Sequence, residues 1–310
     1  MRCLVTGGAG FIGSHLVDAL VAEGHEVRVL DDLFTGRREH VHPAAELRIG
    51  SVTDPDALAA ATDGVEVVFH QAAHGAVGRS LANPAATDEV NVHGTVCVLT
   101  AARDAGVRRV VFASSSSVYG GATDPPTAET APTRPRSPYA VSKLAAEWYC
   151  RVFAEVFPLE TVALRYFNVF GPRQRPDSTY AAVIPLFARA MLTGEPPTVF
   201  GDGHQSRDFT YVTDVVRANL AAAVAPAERC SAGVYNVAPG RSHTLLDLVG
   251  ILARLTGYTG EPTFGPPRPG DVRFSQADPR AAAADLGWAA EVGFEDGLAR
   301  YLDWLRTEGG

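Results

Sequence analysis

The run Thr6-Gly7-Gly8-Ala9-Gly10-Phe11-Ile12-Gly13 constrains this chain more than any other stretch. It follows a short apolar segment, Arg2–Thr6, and opens a stretch from Phe11 to Ala22 in which Ile12, Leu16, Ala19 and Leu20 recur at helical spacing. The pattern predicts a strand, a glycine turn and a helix. Gly8, Gly10 and Gly13 satisfy G-x-G-x-x-G, and Gly7, Gly10 and Gly13 satisfy the related G-x-x-G-x-x-G. Glycines there permit a tight turn and let the backbone approach a pyrophosphate, which rests on the helix N-terminus. A second strand, Val27–Leu30, runs into Asp31-Asp32. Asp31 stands 18 residues beyond Gly13, close to the ~20 at which an acid takes the adenosine ribose hydroxyls. Such a carboxylate repels a 2′-phosphate, so the pattern favours NAD over NADP.

The alternation continues. Leu47–Ile49 is a weak strand, and Pro55–Ala61 a helix with Asp54 as N-cap and proline at its first position. Val65–His70 reads as strand, Asn91–Ala105 as an Ala/Leu/Val-rich helix and Arg109–Ser114 as strand. A helix from Tyr139 to about Phe157 and a strand Thr161–Tyr166 follow. Apolar strands separated by helices predict an α/β fold, a doubly wound parallel sheet of Rossmann type. After Gly171-Pro172 short segments broken by proline and glycine dominate. Strands are expected at Phe209–Val212 and Val234–Val237, and a helix at Leu245–Leu255. The expected division is a dinucleotide-binding domain over 1–168 and a smaller, interleaved α/β substrate domain over 169–310. Segments near 208–240 are expected to pack back onto the first.

Composition narrows the function classes. Of 310 residues, 46% are hydrophobic and 20% charged, which excludes a disordered chain. The net charge of −8 comes without a Lys/Arg-rich run, so there is no nucleic-acid footprint. No apolar run approaches the ~18 residues of a membrane span, and the first residues turn to glycine too soon for a secretory leader. Cys3, Cys97, Cys150 and Cys230 are scattered without metal-ligand spacing and suit a reducing compartment. The expectation is a cytoplasmic enzyme with a small-molecule substrate, no metal, and neither nucleic acid nor membrane as partner.

Among the 27 basic residues there is one lysine, Lys143. It follows Tyr139 by four positions in a helix introduced by Ser137-Pro138, so the two side chains share a face. A phenol with a pKa near ~10 is a poor base at neutral pH, and a neighbouring ammonium favours the phenolate. The competing reading, a Lys143–Glu147 helix pair, has the less favourable order of charges. Just upstream, Ser114-Ser115-Ser116-Ser117 ends a strand at the edge of the sheet where doubly wound folds bind ligands.

Together with Val118-Tyr119-Gly120, His70-Gln71-Ala72-Ala73, Asn91-Val92-His93-Gly94-Thr95, Tyr166-Phe167-Asn168-Val169-Phe170-Gly171-Pro172-Arg173, Arg207-Asp208-Phe209 and Arg268-Pro269-Gly270-Asp271, these motifs resemble the extended short-chain dehydrogenase/reductase superfamily. Within it the likeness is to the nucleotide-sugar epimerase branch typified by UDP-glucose 4-epimerase. The resemblance implies that Ser115 is the catalytic hydroxyl, Tyr139 the acid/base, and Lys143 the residue that binds the nicotinamide ribose and tunes Tyr139. Bound NAD would contact Gly7, Gly10, Phe11, Ile12 and Gly13 at the turn, and Asp31, Asp32, Ser51 and Val52 toward the adenosine. It would also contact Gln71, Ala72, Ala73, Asn91 and Tyr166. A UDP-sugar would meet Ser115, Ser116, Asn168 and Val199, with Arg207 and Arg268 on its diphosphate, Asp271 on its ribose, and Arg175 and Ser275 near the sugar.

The implied reaction is C4 epimerisation through a transient 4-keto sugar, on UDP-glucose/UDP-galactose or the N-acetylhexosamine pair. Related dehydratases and decarboxylases carry an acid directly after the catalytic hydroxyl, where this chain has Ser116 and Ser117. A UDP-glucuronate 4-epimerase is an alternative in which Arg175 meets the carboxylate, although those enzymes tend to have threonine where Asn168 stands. The small Ser275 leaves room for an N-acetyl group. A non-catalytic NAD-binding regulator would show itself by loss of Tyr139 or Lys143, and both are present. The resemblance also implies a homodimer formed through the helices Asn91–Ala105 and Tyr139–Phe157.

Overall fold

The computed structural model describes residues 1–121, 124–174, 182–267 and 272–307; Arg175, Arg268 and Asp271 lie outside them. Seven strands form the central sheet: β1 Arg2–Thr6, β2 Glu26–Asp31, β3 Glu46–Ile49, β4 Val67–His70, β5 Arg109–Ser115, β6 Glu160–Tyr166 and β7 Gly233–Val237. Their order is β7-β6-β5-β4-β1-β2-β3, and every neighbouring pair is parallel. The chain therefore winds outward from β1 in one direction through β3, then returns to β4 and winds the other way. That reversal opens a crevice beyond the carboxyl ends of β1 and β4. In register, Thr6 lies between Leu30 and His70, so the glycine turn begins at the mouth of the crevice.

Both faces of the sheet are covered, which is why β1, β4, β5 and β6 are buried at nearly every position. On one face, Leu16, Val17 and Leu20 of the helix Phe11–Ala22 pack with Val215, Val216, Ala218 and Ala222 of the helix Val212–Val224. On the other, Leu58, Val98, Leu99, Ala102, Ala146 and Phe153 close a second core. Helix starts follow the sequence signals. Asp54 accepts from the backbone of Asp56 and Ala57 at 3.0 and 3.2 Å, and Ser137 accepts from Ala140 at 3.1 Å.

The stretch expected as a strand at Phe209–Val212 is split. Only Thr210–Tyr211 pairs, in parallel with Val169–Phe170, and Val212 already begins a 13-residue helix. The reason is the spacing of Val212, Val215, Val216, Ala222 and Ala223, all buried on one helical stripe. A third core gathers Phe170, Phe187, Tyr211, Leu248, Leu252 and Tyr301 among the helices Val183–Leu192, Leu245–Thr256 and Phe294–Thr307. Two short pairings brace this region: Ser206–Asp208 runs antiparallel to Ser242–Thr244, and Thr198–Phe200 parallel to Thr263–Gly265. Among the described residues no helix is long and apolar enough to cross a membrane.

Candidate active site

The glycine turn is a bare-backbone cradle. Gly7 has φ +71°, and a Cβ there would lie 2.7 Å from the Ala72 nitrogen; a Cβ on Gly13 would lie 2.1 Å from the Gly7 carbonyl oxygen. Gly7 N donates to Leu30 O at 2.8 Å and Gln71 N to Thr6 O at 3.1 Å, which ties the turn to the ends of β2 and β4. Asp31 is buried at the end of β2. Its carboxylate accepts from the backbone of Ala9 at 2.9 Å and Leu33 at 2.8 Å. Burial pushes its pKa up, and those two N–H groups oppose the rise. Asp32 is exposed and accepts from Phe34 N at 2.9 Å.

A cavity of about 420 Å³ lies over the cradle. Gly7, Gly10, Phe11, Ile12 and Gly13 form its floor, Asp31, Asp32 and Val52 one end, and Ala72, Ala73, Tyr139, Lys143 and Tyr166 the other. An acid at one end, an open turn at the helix N-terminus and an ammonium at the far end fit an extended dinucleotide. Gln71 also lines it, and its amide joins Tyr166 and Asn219 in a hydrogen-bonded trio at 2.8–3.1 Å. Two residues expected here stand back from the wall. Ser51 is engaged with Thr53 at 2.8 Å. Asn91 accepts from His74 N at 2.7 Å and donates to His74 O and Ser142 Oγ at 3.3 and 3.0 Å. Asn91 thus pins the loop after β4, with both amide N–H groups donated to protein partners.

The helix Pro138–Val156 carries Tyr139 and Lys143 to the end of β5. Lys143 is 3% exposed, and its Nζ donates to Ala113 O at 2.7 Å. It lies 4.9 Å from the Phe112 ring centroid and 6.0 Å from that of Tyr139. Burial brings the ammonium pKa down to about 8, against weaker upward pulls from Cys150 and Glu147. Glu147 is not its partner. The two Glu147 oxygens take the Arg165 guanidinium at 2.7 and 2.9 Å and the Ser114 hydroxyl, so the helix-pair reading of Lys143 is set aside. Ser115, the last residue of β5, stands close enough to the Tyr139 phenol to pull its pKa down and caps the turn Ser116–Tyr119 by accepting from Ser117 N at 3.2 Å. The Tyr139 pKa is raised by burial, with Ser115 pulling it down. The ammonium is held by a carbonyl on the strand, and loss of water around the phenol is the larger influence on Tyr139.

A second cavity of about 480 Å³ adjoins the first, and Gln174 and Ala182 line both. Asn168 and Arg207 are in its wall with Phe170, Phe200, Gln205 and Phe209. Asn168 has φ +35° and donates to Asp208 O at 3.0 Å, while Arg207 donates to Ser206 O at 2.8 Å. Val199 does not reach this space. Its side chain is wholly buried in the third core, and the two-residue period of a strand turns Thr198 and Phe200 to the cavity instead. Ser275 lies alongside, its N donating to Ser206 O at 3.2 Å, and Ser116 is half-buried beside Ser115. The sequence reading did not select Gln174, Arg173, Phe200 or Gln205. The first two belong to the Gly171-Pro172-Arg173-Gln174 run, whose proximity to both cavities depends on a left-handed backbone at Arg173, φ +65°.

Comparison with known proteins agrees with this geometry. A profile of the NAD dependent epimerase/dehydratase family matches residues 3–238. The UDP-glucose 4-epimerase of Mycolicibacterium smegmatis is 41% identical over 315 residues, covering 99% of each chain. The crystal structure of the Thermotoga maritima UDP-glucose 4-epimerase with UDP-glucose superposes with a TM-score of 0.95 at 39% identity, covering 99% of each chain. That of the Thermus thermophilus UDP-glucose 4-epimerase with NAD gives 0.90 at 38% identity, covering 99% of this chain and 100% of the other. The chain belongs to the NAD dependent epimerase/dehydratase family.

Proposed function

We propose that this protein interconverts a UDP-hexose and its C4 epimer, with NAD held throughout the cycle. The observation that carries the reading is the convergence of Tyr139 and Lys143 on the cavity that contains the glycine cradle, with Ser115 beside the phenol and a second cavity adjoining. The chemistry supplied by NAD when bound is reversible hydride acceptance. Tyr139 takes the proton of the sugar 4-hydroxyl as C4 is oxidised and returns it when C4 is reduced on the other face. Ser115 holds that hydroxyl in line with the phenol. Lys143 holds the ribose beside the phenol and disfavours a proton on it. Asn168 and Arg207, with Arg268 outside the described residues, retain the nucleotide while the keto sugar turns over. Serines at 116 and 117 support epimerisation over elimination, which needs a proton-transferring acid after the catalytic hydroxyl. Ser275 supports acceptance of the N-acetylhexosamine pair as well.

In this reading the sheet region holds NAD, the region beyond residue 168 holds the sugar nucleotide, and the helix Val212–Val224 with β7 returns to the sheet region. The stripe Val141, Trp148, Val152 and Val156, 46–65% exposed on the outer face of the Pro138–Val156 helix, supports a homodimer built on that helix.

The test is incubation with UDP-galactose and with UDP-N-acetylgalactosamine, without added NAD, followed by NMR of the anomeric protons. The expected result is conversion to the gluco epimer. Tyr139→Phe should retain NAD while losing about 10²–10⁴ in rate. A 4-keto-6-deoxy product, or no reaction with either sugar, overturns the proposal.

A further inference from the structure

We propose that Arg173 is a diphosphate-binding residue that stands beside the glycine-rich turn and holds the dinucleotide together with the helix N-terminus. The proposal rests on the reading of the first cavity as an NAD site. The loop carrying Arg173 lies against the first turns of the helix Phe11–Ala22. His15 and the Pro172 carbonyl meet at 2.9 Å, and Arg173 Nη2 meets Asp18 Oδ2 at 2.8 Å. One edge of the guanidinium is therefore anchored to the helix whose N-terminus the cradle opens. The other edge is different: Arg173 Nη1 is buried and has no hydrogen-bond partner among the described residues, and Arg173 lines the cavity with Gly10, Phe11 and Gly13.

A buried donor on a permanent cation without an acceptor is unfavourable, and so is the left-handed backbone of this non-glycine residue at φ +65°. Two unfavourable features at one residue point to an anionic ligand that compensates them. The chemistry required is an oxygen anion, in the plane of a fixed guanidinium and above exposed backbone N–H groups, which a diphosphate supplies. His15 and His40 do not compete for that role. Burial lowers both pKa values and Arg173 lowers them further, which favours the neutral forms. Two diphosphates are available in the proposed reaction. The anchoring to Asp18 and the shared wall with Gly10 and Gly13 select the dinucleotide's, beside the helix N-terminus, over the sugar nucleotide's.

The test uses Arg173→Gln and Arg173→Lys. The NAD content of the purified proteins is measured, and protein freed of nucleotide is titrated calorimetrically with ADP-ribose, adenosine and UDP. Arg173→Gln should bind ADP-ribose about ten- to a hundredfold more weakly, with adenosine and UDP unchanged, and Arg173→Lys should recover part of the loss. Unchanged ADP-ribose affinity overturns the proposal. So does an equal loss for ADP-ribose and adenosine, which marks a structural role, or a loss confined to UDP, which assigns Arg173 to the substrate. Wild-type protein that binds no ADP-ribose would refute the NAD reading itself. If Arg173→Gln does not fold, the same comparisons are read from Arg173→Lys.

Discussion

Replacing Lys143 with methionine should alter the pH dependence of stability in a direction that identifies the ammonium's environment. The ordinary lysine pKa of 10.5 is lowered to about 8 in the folded chain, chiefly by burial. At 1.36 kcal/mol per unit, the buried charge costs about 3 kcal/mol wherever both states are protonated. The sign follows from proton counting. Between about pH 8 and 10.5 the unfolded chain holds a proton that the folded chain has released, so stability from this group rises with pH across that window. Below about pH 8 the full cost is present. Lys143→Met removes the titration, so wild-type stability should gain about 2–3 kcal/mol relative to the variant between pH 7 and 10. Paired urea-unfolding curves on nucleotide-free protein at one concentration measure this, because titrations common to both proteins cancel in the difference. A difference that stays flat within about 0.5 kcal/mol would show that the ammonium is solvated. A wild type that loses ground to the variant as pH rises would show a stabilising ion pair, the arrangement that the Glu147–Arg165 contact argues against.

Two further expectations follow from packing. Gly13→Ala puts a methyl 2.1 Å from a backbone carbonyl oxygen and should cost about 3 kcal/mol while abolishing NAD retention. Gly250→Ala, at an exposed position of the helix Leu245–Thr256 with nothing near its Cβ, should stabilise by about 0.5–1 kcal/mol; thermal melts of the pair check both stabilities. Glu147→Gln leaves Arg165 as a buried unpaired charge and should cost about 3–5 kcal/mol, read from urea unfolding. A cost below about 1 kcal/mol would show that this pair is not buried as described.

The sheet was legible because its signals are local. An apolar run, a glycine turn and a helical stripe each occupy a few residues, and their alternation dictates a parallel sheet. Tyr139 and Lys143 were legible because a spacing of four fixes a common helix face before any tertiary contact forms. What escaped depends on distant partners. The contacts of Asn91 with His74 and Ser142 are ones that no spacing within 91–95 reveals. Val199 turns inward because its strand pairs with Thr263–Gly265 and one face must meet the third core, so its neighbours inherit the cavity. The helix Val212–Val224 was hidden by its alanine content, which carries little amphipathic contrast in a short window.

The buried charges near β5 also explain why a chain that uses arginine for every other basic position keeps one lysine. Glu147 would be the natural counter-ion for residue 143, four positions away, but both of its oxygens are committed to Arg165 and Ser114. The side chain at 143 therefore lies beside a carboxylate that is already neutralised and takes a neutral carbonyl, Ala113 O, as its hydrogen-bond acceptor. An ammonium has three N–H donors that rotate freely, so one can stay on the strand while the others turn to a ribose diol and a phenol. A guanidinium is planar, bulkier and far harder to deprotonate or reorient. Under the same burial it would displace Phe112, 4.9 Å away, or break the Glu147–Arg165 pair. The commitment of Glu147 to Arg165 is thus what frees the cation for the cavity, and Glu147→Gln should disturb the ionisation of Lys143 as well as the fold.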